Sequence, residues 1–123
     1  SYCWGLMRLI EAHTGPVFDY VYIDGAHTWH HDGFAFLLVD RLLRPGGYVD
    51  FDDFDWRLVD QPEVTVLPDG RAIRTPLNLH RLYRAQYTRE QLETPQVALV
   101  IDLLVKRSGY TEVVPNKVFQ KPH

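Results

Sequence analysis

Apolar and polar positions fall along the chain in blocks that define its elements. Cys3, Leu6, Met7 and Ile10 recur at helical spacing, and the pattern stops at His13-Thr14-Gly15-Pro16, so a short amphipathic helix opens the chain. The run from Phe18 to Ile23 is β-rich and nearly apolar, which predicts a strand buried on both faces in a parallel sheet, with Asp24 at its tip. Past the turn at Gly25, Phe34, Leu37, Leu38 and Leu42 again recur at helical spacing, until Arg44-Pro45-Gly46-Gly47 ends the helix. A second strand, Tyr48 to Asp53, follows at once. Strand, helix and strand in direct succession form a βαβ unit, whose right-handed crossover makes the strands parallel and adjacent. Asp24 is thereby set beside Asp52 and Asp53, at the carboxyl ends of strands where open α/β sheets bind ligands.

The remaining elements are predicted in the same way. Residues 57 to 93 read as a hairpin about Pro68-Asp69-Gly70 and then a helix rich in Tyr and Arg, from Leu77 to Leu92. Thr94 as N-cap, Pro95 in the first turn, a strongly apolar body, Lys106 and Arg107 at the end and Gly109 beyond it describe a buried helix. Two strands then flank Pro115-Asn116. Their connection is too short for a parallel crossover, so they pair antiparallel or diverge.

Composition narrows the class. With 123 residues, 46% hydrophobic and 13% aromatic, the chain closes a core as one domain and is not disordered. A net charge of -3 leaves no basic field for phosphate backbones, so the expected partner is a small molecule and not nucleic acid. The single cysteine, Cys3, makes no internal disulfide, and no run is apolar and long enough to span a bilayer; with no leader visible, the expected compartment is the cytoplasm.

Two clusters carry chemistry. Adjacent strands lie about 4.8 Å apart, so carboxylates at neighbouring tips, Asp24, Asp52 and Asp53, are able to share one hard divalent cation such as Mg²⁺. Without a cation or basic partners they repel, or else they serve as turn openers and caps. His27, His30 and His31 stand at i, i+3 and i+4 and share a face if helical; three imidazoles bind zinc, although the spacing matches no established zinc signature. Trp29 and Trp56 flank the same end of the sheet, as core filling or as a wall for a substrate ring. The Arg and Tyr residues between 71 and 89 line either a lid or a solvated face.

The stretches "FDYVYIDGAHTW" and "LLRPGGYVDFDDFDW", with the closing helix and its two strands, resemble the second half of class I S-adenosylmethionine-dependent methyltransferases, in the O-methyltransferase-like group with an "IDG-x-H" strand end. The resemblance covers residues 1 to 56 and 94 to 123. It implies a Rossmann-like methyltransferase half-sheet, mostly parallel with an antiparallel last strand, in a single partial domain with an insertion at about 57–93. It also implies S-adenosylmethionine as cofactor and a small hydroxylated substrate. By position, Asp24, Asp52 and Asp53 are the family's metal ligands, and His27 is the general base that takes the substrate proton. The glycine-rich cofactor loop and the ribose-binding acid are not in the sequence, which reads as a fragment or a reduced descendant. Asp50 replaces an apolar strand residue, and residues 57 to 93 exceed the usual connection. The resemblance further implies that the strand at Tyr20 to Ile23 lacks the family's first strand as a neighbour, and such an open edge predicts a homodimer. The competing readings are a non-catalytic half-sheet module for oligomerisation or binding, and a zinc hydrolase built on the histidines.

Overall fold

The chain is described here by a computed structural model over residues 2–62, 64–74 and 79–123, with the backbone alone at residues 65, 74, 79 and 80. Glu63 and residues 75–78, at the margins of the predicted hairpin and of the Tyr- and Arg-rich helix, lie outside the described residues. The elements run α1 (Tyr2–Ala12), β1 (Phe18–Ile23), α2 (Trp29–Leu42), β2 (Leu43–Phe51), a 3-10 turn (Leu58–Asp60), β3 (Val64–Val66), β4 (Ala72–Arg74), α3 (Leu79–Gln86), α4 (Arg89–Glu93), α5 (Gln96–Val100), β5 (Thr111–Val114) and β6 (Val118–Gln120). Helix α5 runs on through a π turn, Ile101–Val105, and a 3-10 turn, Lys106–Ser108.

Four strands form a mixed sheet in the order β1-β2-β6-β5, so the fold is α/β. β1 and β2 pair parallel, with Tyr20 opposite Tyr48, Val21 opposite Val49 and Tyr22 opposite Asp50. The sheet is not mostly parallel as expected, because both other pairings, β2–β6 and β5–β6, are antiparallel. The cause is the place of the last strand. A tight turn with Asn116 at φ 58 reverses the chain, and β6 enters between β5 and β2, so it opposes a neighbour on each side.

The sheet's two faces differ. Ile23, Val49, Phe51 and Phe119 pack against Phe36 and Val39 of α2 and against Val97, Val100, Ile101 and Val105 of α5 and its extension. Tyr20, Tyr22 and Tyr48 stand on the opposite face, 54%, 48% and 38% exposed. β1 is therefore buried on one face only, not on both as its composition suggests. On α2 the buried stripe is Ala35, Phe36, Val39 and Leu42, whereas Phe34 and Leu37 face solvent.

Helix α2 passes into β2 without a loop. Leu43 caps the helix with extended backbone, its N–H still donating to the Val39 carbonyl, and it opens the strand. Gly47 permits this close approach, since a Cβ there would lie 2.9 Å from the carbonyl oxygens of Arg44 and Asp19. In the insertion, β3 and β4 pair as the predicted hairpin, closed by the Leu67 N–H on the Arg71 carbonyl at 2.8 Å. The single predicted helix is split in two by a capping box between Thr88 and Gln91. Thr94 closes α4, its hydroxyl donating to the Glu90 carbonyl at 2.6 Å, and the N-cap of α5 is Pro95. Among the described residues no helix is long and apolar enough to cross a membrane.

Candidate functional site

β1 and β2 end level with each other, because the Asp52 N–H donates to the Ile23 carbonyl at 3.1 Å and extends the ladder past both strands. Asp24 leaves one tip and Asp53 the other. Asp53 turns at φ 56, a left-handed conformation that its short polar side chain tolerates, and its carbonyl accepts from the Trp56 N–H at 3.1 Å. His27, in the loop before α2, is also left-handed at φ 61. That conformation costs a non-glycine residue on the order of 1 kcal/mol and persists only where the surroundings fix it.

These turns bring three side chains together. Nε2 of His27 lies 2.8 Å from Oδ2 of Asp53 and 3.5 Å from Oδ1 of Asp24. One ligand atom from each residue falls within 4.8 Å of the others. The imidazole is mostly buried while both carboxylates reach solvent. Although Nε2 is buried and near Asp53, it makes no aligned hydrogen bond. A bare imidazole nitrogen and a carboxylate oxygen repel at 2.8 Å, so a proton or a cation belongs between them. Two carboxylates and one imidazole are a donor set that fits a divalent ion, and the nitrogen favours Mn²⁺ or Zn²⁺ over Mg²⁺.

The other expected ligand, Asp52, stands apart from this group. It continues the pleat of β2, so it falls on the face of Asp50, beside the Tyr22 hydroxyl. Desolvation, followed by a hydrogen bond to Asp52, pushes that hydroxyl up to about 12. The Lys117 ammonium sits over the Tyr22 ring, 5.4 Å from its centroid. It also pairs at 2.8 Å with Asp50, which accepts from the Tyr20 hydroxyl at 2.6 Å through its other oxygen. Asp50, unexpected in a strand, is thus held by two partners on the open face.

The histidine trio is not gathered. His30 and His31 contact each other, and His30 stacks on Tyr87 of the insertion, centroids 6.3 Å apart. The two tryptophans serve different clefts. Trp56 lies 5.7 Å from the His27 ring and lines a cleft of about 440 Å³ with Asp53, Phe54, Asp55 and Asp60. Trp29 lines another, of about 400 Å³, with Gln91, Gln96 and Leu99. Arg84, Tyr87 and Arg89 border a third, of about 500 Å³, beside Val59 and Leu92.

Two residues near the site escape sequence reasoning. Gln96, 5% exposed, accepts from the Trp29 N–H at 2.7 Å and donates to the Gln91 carbonyl at 2.8 Å, tying the start of α2 to the insertion. Asp32, which suits an exposed first turn, is 1% exposed; desolvation raises its carboxyl above the usual range, and the neighbouring His27 opposes this. A polar residue at a buried helical position is the signal for both, but only after the buried face is known. No protein-family model, no curated protein and no solved structure matches the chain.

Proposed function

We propose that this chain is part of an S-adenosylmethionine-dependent O-methyltransferase in which Asp24, His27 and Asp53 hold a divalent cation for a small hydroxylated substrate. The observation that carries this reading is their convergence at the carboxyl ends of two adjacent parallel strands. The parallel β1–α2–β2 unit and the reversed last strand support the Rossmann-like assignment of the sheet. When bound, a divalent cation lowers the pKa of a coordinated hydroxyl, and S-adenosylmethionine brings the methyl group. The chain's own residues supply position. Asp24 and Asp53 turn their carboxylates to one point, and His27 presents Nε2 to the same point from a shielded side. Trp56 and Phe54 give the adjoining open cleft an apolar wall against which a substrate ring is oriented.

The 2.8 Å approach of His27 to Asp53 also supports a second role. With no cation held, His27 is the general base, as the "IDG-x-H" resemblance implies. Thermal melting of metal-stripped protein separates the two. Saturating Mn²⁺ is expected to raise the melting temperature, since a ligand at a hundred times its Kd adds about 2.7 kcal/mol. Asp24→Asn and Asp53→Asn are expected to abolish the rise and Asp52→Asn to keep it. An equal rise in all three moves the cation elsewhere. No rise in the unaltered chain leaves His27 as base.

A further inference from the structure

Asp32 stands in the first turn of α2, yet it is 1% exposed. It does not cap the helix. Thr28 does, its hydroxyl accepting from the His31 N–H at 3.3 Å. The Asp32 carboxyl turns back beneath the loop at residues 25–27. A Cβ added at Gly25 would lie 2.4 Å from Asp32 Oδ1 and 2.1 Å from the Tyr2 hydroxyl, so the loop has closed down on the carboxyl as far as a glycine allows. The backbone N–H groups of His27 and Ala26 direct their dipoles at it. Even so, Oδ1 has no hydrogen-bond partner. A buried carboxyl left partly unmatched weakens a fold, and an apolar side chain of the same size would fill the space without that cost. Core packing therefore does not account for an acid here.

We propose that Asp32 is the positioning residue of the Asp24, His27 and Asp53 site: from beneath the loop its carboxyl holds the backbone of Ala26 and His27 in the left-handed turn that aims the imidazole at the two acids. This assignment rests on the cation site proposed above, so its test includes a readout that needs no metal. Asp32→Leu keeps the branched shape, with methyl groups larger than the oxygens they replace, and removes the acceptor. Asp32→Asn keeps both. The readouts are the melting temperature without metal, the Mn²⁺ affinity by calorimetry, and the nuclear Overhauser contact between the His27 and Trp56 rings, assigned with His27→Gln.

For Asp32→Leu the expected result is an unchanged or higher melting temperature, loss of the ring contact and an Mn²⁺ affinity weaker by about tenfold or more. For Asp32→Asn the contact persists and affinity stays within about threefold, because the amide oxygen still faces both N–H groups. A lower melting temperature in Asp32→Leu, with ring contact and affinity intact, makes Asp32 merely structural and overturns the proposal. If the unaltered chain binds no Mn²⁺, the cation reading fails and the ring contact alone judges Asp32: loss in Leu with retention in Asn supports it, and retention in both overturns it. If Asp32→Leu does not fold, Asp32→Asn decides, with a kept contact supporting the proposal and a lost one overturning it.

Discussion

Tyr110 shows how one buried hydroxyl couples the fold to pH. It is 6% exposed, and its hydroxyl donates to Oδ1 of Asp40 at 2.7 Å, while Asp40 also lies 3.4 Å from the Lys121 ammonium. Burial, reinforced by the bond to Asp40, pushes the hydroxyl far above its ordinary value of 10.0. The folded chain thus retains a proton that the unfolded chain releases. The stabilisation is complete below the unfolded value and falls as pH rises past it, by about 1.4 kcal/mol per unit for one group. Urea melts between pH 8 and 11 are expected to show this decline, and Tyr110→Phe to make it shallower, the raised hydroxyls of Tyr2 and Tyr22 still contributing, while costing about 1 kcal/mol at pH 8 through the lost hydrogen bond. A decline that Tyr110→Phe leaves untouched would place the titrating group elsewhere.

Between elements, the tightest junction is the entry into β2. Gly47 has no room for a methyl between the Arg44 and Asp19 carbonyls, and Asp19 belongs to β1. Gly47→Ala is expected to push β1 from β2 and destabilise the chain by about 1–3 kcal/mol, the usual cost of overpacking. An unchanged denaturation midpoint would contradict this. The same elements show what the sequence makes legible. Periodicity and terminators are local, so the βαβ unit and the hairpin at Pro68-Asp69-Gly70 are readable before any contact is known; at Pro115-Asn116 the break between two strands is readable, but not whether they pair or diverge. The buried side of α2 is not, because Phe34 and Leu37 on one side are as apolar as Phe36 and Val39 on the other, and only the sheet chooses between them. Asp24, His27 and Asp53 converge because of two left-handed turns that no spacing rule encodes. Asp52, by contrast, is placed by simple alternation from Asp50, a signal present in the sequence.

At the scale of the molecule, helices α1, α2 and α5 lie on one side of the sheet, and the other side carries exposed Tyr20, Tyr22 and Tyr48. Among the described residues β1 has one neighbouring strand, so its outer edge keeps free backbone donors and acceptors. Such an edge, bordered by aromatic side chains, templates strand addition. The chain by itself is expected to dimerise with rising concentration in sedimentation velocity, and Val21→Lys to return it to monomer; a monomer at every concentration would mean the edge is not sticky. The same architecture leaves the carboxyl ends of β1 and β2 as the one place where two strand tips and the His27 loop meet. Whether a cation is held there is read most directly by electron spin echo spectroscopy of Mn²⁺ added to the metal-stripped chain. The expected result is a bound ion with nitrogen coupling from an imidazole, lost in His27→Gln and in Asp53→Asn. Bound Mn²⁺ without nitrogen coupling, or coupling that survives His27→Gln, would contradict it.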